Sequence, residues 1–330
     1  MRAAVVEALG RPPAPADVPG PRRRPGEALV RIRAAALNPV ELHIWNGHFF
    51  DGPPRPPYVI GLEGIGVVEE GERLAPGTRV RVEYVHPGYG RDGAVAEYAV
   101  APEDPDATDR ASQAAVAPIG DELDDTTAAA LGVPVFTALM CLERAQRAGA
   151  SLDGAHVLVT GATGAVGLVG IQLAKLMGAA RVVAAGRNRG RLERALSLGA
   201  DAAVEIGGGH LRERFSSAAD GRLDVVLDPL WGEPARAAIE ALTQDGVYVS
   251  FGQASSPLAE LSGIPLRNRR VTLVGHSGAW ATPRERQDAL ARAHALGRLT
   301  LDTEVLELEE IGDGWERLSR SAGRRLVVRP

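Results

Sequence analysis

The sequence predicts an α/β protein in which a doubly wound parallel sheet is joined to a compact β-barrel-like domain. Two observations support this fold class. Strand-like and helix-like stretches alternate from about residue 122 to 278, which is typical of a parallel sheet covered by helices on both faces. Short β-type runs separated by proline and glycine fill the first 121 residues, which favours a small β domain. A length of 330 residues agrees with two domains, at roughly 100–200 residues per domain.

The parallel sheet is predicted from six strand-like stretches in the middle of the chain. They are apolar and are expected at 156–160, 181–185, 202–205, 223–227, 246–251 and 271–274. Stretches with helical periodicity lie between them, with helices expected at 165–177, 189–198 and 233–242. Six parallel strands match a complete dinucleotide-binding sheet.

The β domain is expected to be discontinuous in sequence. Its strands are predicted at 28–33, 66–68, 79–82 and 96–100. After about residue 279 the chain returns to one helix, expected at 284–296, and to short β runs that end at 325–328. This last stretch is too small to form a domain of its own. The predicted domains are therefore 1–121 completed by 279–330, and 122–278.

Charge and cysteine content exclude several classes of function. The formal net charge is −5, and an acidic chain repels nucleic-acid phosphates, so no nucleic-acid partner is expected. The one basic block, Arg22–Arg24, is flanked by prolines and is interpreted as a solvated turn. Because Cys141 is the only cysteine, neither an intramolecular disulfide nor a cysteine zinc cluster can form.

Membrane insertion and secretion are not expected either. The longest apolar run, 128–142, is too short to span a bilayer and is broken by Gly132 and Pro134. The N-terminus lacks the apolar core and cleavage pattern of a signal peptide. The expected location is therefore the cytoplasm.

A strand that leads into a glycine-rich turn and a helix start carries the strongest functional signal. Val157–Thr160 is followed by Gly161-Ala162-Thr163-Gly164-Ala165-Val166-Gly167. Gly164 is expected to let the backbone approach a pyrophosphate, and Gly167 to let the helix pack on the strand. The helix start presents N–H groups and a positive dipole end to that phosphate. Although Ala162 replaces the first glycine of the usual pattern, we predict that the turn binds a dinucleotide through Thr163, Gly164, Ala165 and Val166.

The residues after the second strand of this sheet distinguish NADPH from NADH. An NAD site usually places Asp or Glu there, to bind the ribose 2′-hydroxyl. This chain has Gly186-Arg187-Asn188-Arg189 instead. A guanidinium pairs with a 2′-phosphate in bidentate geometry, whereas an arginine at a helix start without an anion opposes the helix dipole. NADPH is therefore the predicted cofactor, with Gly186, Arg187 and Asn188 in its site. Solvated arginines at a helix start are the alternative.

The chain resembles a medium-chain dehydrogenase/reductase of the zinc-independent quinone oxidoreductase (zeta-crystallin-like) branch. The similarity covers essentially the whole chain and rests, besides the glycine turn, on the segments 36–41, 61–68, 96–98, 128–134, 137–138, 171–175, 198–201, 224–228 and 323–328. The resemblance implies a Rossmann domain for the doubly wound sheet and a GroES-like catalytic domain for the β-barrel-like region.

The same resemblance indicates whether the chain has the ligands for a zinc ion. Zinc-dependent relatives carry a cysteine near the position of Asn38 and a histidine at the position of Leu62, so only Glu63 of that set remains. The four-cysteine structural lobe is absent, and the seven histidines show no paired ligand spacing. A catalytic zinc needs about three converging protein ligands. No metal is therefore expected, and metal-assisted alcohol oxidation is disfavoured.

The resemblance also implies positions for the substrate and the cofactor. It places Asn38, His43, Phe49 and Thr137 beside the nicotinamide or in the substrate cleft. It places Asp228 near the adenosine. It places four residues near the nicotinamide end, namely Phe251, Gly252, Gly275 and His276. Related enzymes often carry tyrosine where this chain has His43 and Phe49, which leaves the substrate open.

Without a metal, the natural reaction is hydride donation to a carbon that is already electrophilic. The predicted function is therefore NADPH-dependent reduction of a quinone or an α,β-unsaturated carbonyl compound, both small electrophilic molecules. Histidine titrates near neutrality, so His43 is one candidate proton donor, and water is the other. Tyr84, His86 and Tyr89 are expected on a loop that caps the cleft, although a plain surface loop is the alternative there.

Other functions fit the same sequence. An enoyl-thioester reductase or a biosynthetic tailoring reductase is the second interpretation among enzymes, because fold does not separate these activities. A non-catalytic nucleotide-binding protein is the alternative of another class. The resemblance further implies a homodimer, formed by sheet extension through the last strand of the parallel sheet, 271–274.

Overall fold

The computed structural model describes residues 1–49, 52–84, 87–106, 113–321 and 323–330. The chain divides into two compact units. The first contains Met1–Val133, Ala279–Asp288 and Leu301–Pro330. The second contains Pro134–Gly278 and Ala289–Thr300. Both units are therefore discontinuous in sequence.

The described residues at the start of the first unit form eight strands and two short helices. The strands are β1 (Arg2–Val6), β2 (Ala14–Asp17), β3 (Glu27–Ala36), β4 (Tyr58–Val59), β5 (Glu63–Glu70), β6 (Arg79–Glu83), β7 (Tyr98–Pro102) and β8 (Ala115–Pro118). The helices are α1 (Val40–Trp45) and α2 (Asp125–Ala130).

The second unit alternates strands with helices, as predicted. Its strands are β9 (His156–Val159), β10 (Arg181–Gly186), β11 (Ala202–Glu205), β12 (Val225–Asp228), β13 (Val247–Ser250) and β14 (Thr272–Gly275). Its helices are α3 (Val133–Arg147), α4 (Ala165–Leu176), α5 (Arg189–Ser197), α6 (Leu211–Ala218), α7 (Glu233–Ala241) and α8 (Gly263–Asn268). Helix α9 (Pro283–Leu296) begins in the first unit and continues in the second.

The end of the chain returns to the first unit, as predicted. It adds β15 (Thr303–Glu307), α10 (Ile311–Ser319) and β16 (Arg325–Arg329). Strands β15 and β16 extend a seven-stranded sheet in the order β15-β16-β3-β5-β6-β8, with β7 paired to β3. A second sheet of three strands has the order β2-β1-β4.

The second unit is built on one parallel sheet. Its six strands have the order β11-β10-β9-β12-β13-β14, and every neighbouring pair is parallel. The central strands are buried along almost their whole length, which is why their sequences are continuous apolar runs rather than alternating ones. Since all strands point the same way, their carboxyl ends form one edge of the sheet, where α/β folds bind ligands.

The boundary between the units differs from the predicted one at residue 121. Helix α2 follows that position, and its residues Ala128–Ala130 are buried against Ala34, Ile65 and Val327 of the first unit. The first unit therefore extends to Val133. The segment 289–300 also differs from the prediction, because it belongs to the second unit, where Gln172 bonds to Thr300.

Among the described residues, none of the helices has the length and apolar character needed to cross a bilayer.

Candidate functional site

The glycine turn joins the end of β9 to the start of α4 in a tightly packed loop. Gly161 has a φ of 57°, and a Cβ there would lie 2.6 Å from Pro229 Cγ. A Cβ on Gly167 would lie 2.5 Å from the Gly161 carbonyl oxygen, so only glycine lets the helix pack this closely. Gly164 is the N-cap of α4 and makes no side-chain cap hydrogen bond. The N–H groups of the first helical turn therefore remain suited to an anion.

The end of β10 lies beside this turn. A Cβ on Gly186 would come within 2.9 Å of Thr163 Cγ2, so the strand end and the turn are in direct contact. Arg187 and Arg189 follow as exposed side chains, and within the described ranges neither forms an ion pair. Asn188, predicted to bind the cofactor, is the N-cap of α5, and its Oδ1 accepts from Arg191 N at 3.0 Å.

Asp228, which the resemblance places near the adenosine, has a carboxylate that is held by donors of the protein itself. The residue is fully buried at the end of β12. Its Oδ1 accepts a short hydrogen bond from Thr160 Oγ1, and its Oδ2 accepts from Trp231 N at 2.7 Å and from Tyr248 Oη. Burial raises the pKa of Tyr248, and the Asp228 carboxylate raises it further, so the phenol stays a neutral donor. Both carboxylate oxygens are thus occupied by protein donors.

The residues predicted near the nicotinamide follow two neighbouring parallel strands. Ser250 pairs with Gly275 across β13 and β14, and His276 N donates to Ser250 O at 2.8 Å. A Cβ on Gly252 would lie 2.7 Å from the Pro229 carbonyl oxygen. Phe251 is half-buried on the same edge. The structure therefore brings Phe251, Gly252, Gly275 and His276 together at the carboxyl edge of the sheet.

His276 is half-buried, and its Nε2 has no hydrogen-bond partner among the described residues. Desolvation by burial and, to a smaller extent, the nearby Arg144 and Arg147 guanidiniums of α3 together lower its pKa to about 4. His276 is therefore a neutral imidazole at physiological pH. Thr137, also predicted for this region, is half-buried in the first half of α3.

Asn38 and Glu63 belong to a buried charge network in the first unit. Arg325 Nη2 donates to Glu63 Oε1 at 2.5 Å and to Asn38 Oδ1 at 2.9 Å. Asn38 Nδ2 donates to Ala36 O at 3.1 Å and to Glu63 at 3.3 Å. Asn38 is only 1% exposed, and both polar atoms of its amide are held by the protein. Its predicted place beside the nicotinamide or in the substrate cleft stays a prediction.

The second carboxylate oxygen of Glu63 is also held. It accepts from Arg81 Nη1 at 3.1 Å and from Val133 N at 2.9 Å. Burial raises the pKa of Glu63 above its usual range, and the guanidiniums of Arg325 and Arg81 oppose that rise. A Cβ on Gly132 would lie 1.7 Å from Glu63 Oε2, so the turn before α3 requires glycine to accommodate this carboxylate.

Two further carboxylates complete the network. Glu41 is buried, and its oxygens accept from Asn38 N at 2.9 Å and from Gly61 N at 3.0 Å. Burial raises its pKa to about 7. Glu83, the cross-strand partner of Glu63, bonds to Arg286 Nε at 3.2 Å. Three buried carboxylates are thus balanced by three buried guanidiniums, those of Arg81, Arg286 and Arg325.

The other residues predicted to be catalytic lie in different environments. His43 is exposed on α1, and Phe49 is half-buried with its ring centroid 6.3 Å from that of Tyr89. Tyr84 is wrong as a catalytic residue, because it is 4% exposed in the hydrophobic core and donates to Val100 O at 2.9 Å. Burial also raises the pKa of Tyr84. His86 lies outside the described residues.

The residues at the expected metal position do not suit zinc. Asn38 is locked by hydrogen bonds, Leu62 is a buried apolar residue, and Glu63 is neutralised by two guanidiniums. A dication there would be placed beside Arg81 and Arg325. Within the described part of the chain, no group of three His, Cys, Asp or Glu residues could hold a metal ion.

Sequence reasoning missed the arginines and Glu41 of this network. The available signal was the charge placed inside apolar strands: Arg81 and Glu83 alternate with valines in β6, and Arg325 opens a run of Leu and Val in β16. Charged residues are rarely fully buried unless they are paired, so such positions indicate partners. The partners themselves lie far apart in sequence, which the pattern does not reveal.

Comparison with known proteins agrees with this architecture. The family described as "Alcohol dehydrogenase GroES-like domain" matches residues 24–107, and the family described as "Zinc-binding dehydrogenase" matches residues 165–294. An alcohol dehydrogenase of Geobacillus stearothermophilus is 29% identical over 99% of both chains. A quinone oxidoreductase of Mus musculus is 28% identical over 82% of this chain and 77% of its own.

Solved structures give the same result. The quinone oxidoreductase of Thermus thermophilus, whose complex with NADPH is also known, superposes with a TM-score of 0.78 at 29% identity, over 100% of both chains. The two matched family segments fall on the GroES-like and Rossmann-like parts of the fold. This chain therefore belongs to the medium-chain dehydrogenase/reductase superfamily of oxidoreductases.

Proposed function

We propose that the protein is an NADPH-dependent, metal-independent reductase of the quinone oxidoreductase branch, acting on a quinone or an α,β-unsaturated carbonyl compound. The observation that carries the proposal is the pair formed by the glycine turn and the end of β10. The turn offers an uncapped helix start, and Arg187 stands where an NAD site usually has a carboxylate.

The residues present fit this cofactor. Gly164, at the uncapped start of α4, has no side chain to hold a pyrophosphate away from the backbone, and a Cβ there would meet nothing nearer than the Gly161 carbonyl oxygen at 3.4 Å. The exposed Arg187 guanidinium is available for a 2′-phosphate. The chemistry that NADPH supplies when bound is hydride transfer to an electrophilic carbon. The quinone oxidoreductase of Thermus thermophilus, which is similar to this chain, forms a complex with NADPH, and this supports NADPH as the cofactor proposed here.

The chain's own contribution is to position groups and to supply a proton. We assign the proton donor to His43, which is exposed on α1, or to water. The proton joins the oxygen or the α-carbon left electron-rich by hydride addition, so one hydride and one proton complete each reduction. His276, with a pKa lowered to about 4, is not charged near neutral pH and does not serve as this donor.

The metal-independent part of the proposal is supported by the charge network. A catalytic zinc polarises its substrate through a site of about three protein ligands. Here the retained Glu63 is bound to Arg81 and Arg325. A substrate that is already electrophilic needs no such activation.

The cofactor claim is tested by measuring NADPH and NADH binding to Arg187→Ala. A charge-assisted bidentate pair is lost only for NADPH, so we expect NADPH to bind roughly ten- to a hundredfold more weakly and NADH to change little. Arg222→Ala is the matched control, because Arg222 is an exposed arginine at the amino-terminal edge of the same sheet, paired with Asp224. Equal losses for both nucleotides would refute the assignment.

The reductase claim is tested by NADPH oxidation with simple quinones and 2-alkenals as acceptors. Turnover with either class supports it. Tight NADPH binding without turnover on any of these acceptors would favour the non-catalytic nucleotide-binding alternative. Turnover with enoyl thioesters alone would favour the enoyl-thioester reductase.

A homodimer is also proposed. Strand β14 ends the sheet order, and β13 is its one partner in the described part of the chain. Leu258, Ile264 and Leu266 are exposed on the segment that precedes it. An uncovered edge strand beside exposed apolar side chains favours pairing with a second copy. Light scattering of the purified protein should give twice the chain mass, and Val274→Lys should reduce it to the chain mass.

A further inference from the structure

The Asp228 carboxylate is the centre of a buried hydrogen-bond network at the carboxyl edge of the parallel sheet. Its three donors come from three places: Thr160 at the end of β9, Tyr248 in β13, and the backbone of Trp231. Because β9, β12 and β13 are adjacent, the network ties three neighbouring strands at the end where the glycine turn begins.

The network also fixes the segment after β12. Trp231 has a φ of 58°, in the left-handed region that a bulky residue rarely adopts. Its N–H donates to Asp228 Oδ2 at 2.7 Å, and its ring lies edge-on to Tyr248 with centroids 6.0 Å apart. These contacts hold Trp231 in a conformation that its own backbone preference disfavours.

Pro229 lies inside the segment that is held in this way, and it contacts two glycine turns. A Cβ on Gly161 would lie 2.6 Å from Pro229 Cγ, and a Cβ on Gly252 would lie 2.7 Å from Pro229 O. Ala254 N also donates to Pro229 O at 2.9 Å. A shift of Pro229 would therefore displace the start of the glycine turn and the residues after β13 together.

We propose that Asp228 is a positioning residue for the dinucleotide. Held by Thr160, Trp231 and Tyr248, it sets Pro229 against Gly161 and thereby fixes the shape of the turn that receives the pyrophosphate. It does this without contacting the cofactor, since the residue has no exposed surface. This inference rests on the proposed NADPH-binding function.

The test uses two conservative variants, Thr160→Val and Tyr248→Phe. Each removes one hydrogen bond to the carboxylate and keeps the shape of the side chain. Thr243→Val is the matched control, because Thr243 Oγ1 donates to Leu223 O at 2.7 Å at the amino-terminal edge of the same sheet. Thr160→Ser restores the hydroxyl and serves as the rescue.

Two probes separate positioning from general stability. NADPH contains the pyrophosphate, whereas adenosine 2′-monophosphate lacks it and retains the 2′-phosphate. We expect Thr160→Val and Tyr248→Phe to bind NADPH about tenfold more weakly and adenosine 2′-monophosphate within about twofold of the wild type. Thr243→Val and Thr160→Ser should bind both probes as the wild type does.

Three results would count against the inference. Unchanged NADPH affinity in both variants, with only a lower melting temperature, would show that the network serves the fold alone. Equal weakening of both probes would show general disruption of the unit. A wild-type protein that binds adenosine 2′-monophosphate and not NADPH, or neither probe, would overturn the proposed cofactor, and this role with it.

Discussion

The Arg325 guanidinium donates to the Glu63 carboxylate at 2.5 Å, and the two side chains are only 3% and 1% exposed. Removing one partner of such a pair leaves a buried charge with less compensation, which costs far more than the pair itself contributes. The consequences of this and related contacts can be measured.

Arg325→Met should destabilise the first unit by about 3–5 kcal/mol, because Glu63 would keep Arg81 as its one guanidinium partner among the residues described. Denaturant unfolding followed by circular dichroism measures the change. Arg320→Met is the control, because Arg320 pairs with Glu316 on the protein surface. Removing this exposed pair should change the free energy of unfolding by an amount at the limit of measurement. A loss of similar size in both variants would show that the buried pair has no special role.

Glu41 should make the stability of the protein fall as the pH rises. Its folded pKa of about 7 lies above its usual value of 4.5, so the folded state binds this proton more tightly than the unfolded state. The associated stability is fully present below about pH 4.5 and is lost as the pH rises to about 7. The difference of about 2.5 pH units corresponds to roughly 3 kcal/mol.

Glu41→Gln isolates this contribution, because other groups also titrate. The variant should be less stable than the wild type at pH 4, since an amide offers only one acceptor to the N–H groups of Asn38 and Gly61. Its free energy of unfolding should, however, fall less between pH 4.5 and 7. Parallel pH profiles for the two proteins would contradict the assignment.

Gly132→Ala should be strongly destabilising, at about 3 kcal/mol or more. The new Cβ would lie 1.7 Å from Glu63 Oε2 and 2.2 Å from Arg81 Nη1, so the buried ion pair would have to move. Gly312→Ala in α10 is the control, since a Cβ there meets nothing within 4 Å. The free energy of unfolding of Gly312→Ala should rise by roughly 0.5–1 kcal/mol, because alanine has a higher helix propensity than glycine. Thermal unfolding of both variants gives the comparison.

Chelators should leave the reductase activity unchanged. The residues at the expected metal position are either apolar or committed to guanidiniums, so no zinc should copurify with the protein. Elemental analysis of the purified protein, before and after dialysis against a chelator, measures the zinc content. One zinc per chain, lost together with activity, would be incompatible with the proposed metal-independent reaction.

The order of elements was predictable because it depends on local pattern. The six parallel strands follow from continuous apolar runs, and the glycine turn follows from a motif whose spacing is set by backbone geometry. The boundary between the two units was harder to predict from the sequence. Ala128–Ala130 form part of an apolar run, and only tertiary packing shows that they cover the first unit.

The roles of individual polar residues were the least predictable. Asp228 stands where a ligand contact was expected, yet two of its donors come from Thr160 and Tyr248, 68 and 20 residues away. Tyr84 was expected on a loop, whereas its side chain lies in the core. Whether a polar side chain faces a ligand or the interior depends on partners distant in sequence, and a single sequence does not specify them.

The position of Arg325 also has a consequence for biosynthesis. Glu63 is synthesised 18 residues before Arg81 but 262 residues before Arg325, so for most of translation its carboxylate has one of its two guanidinium partners. All six strands of the parallel sheet have been synthesised by Gly275, before β15 and β16 exist. The parallel sheet can therefore form during translation earlier than the seven-stranded sheet of the first unit, which waits for the end of the chain.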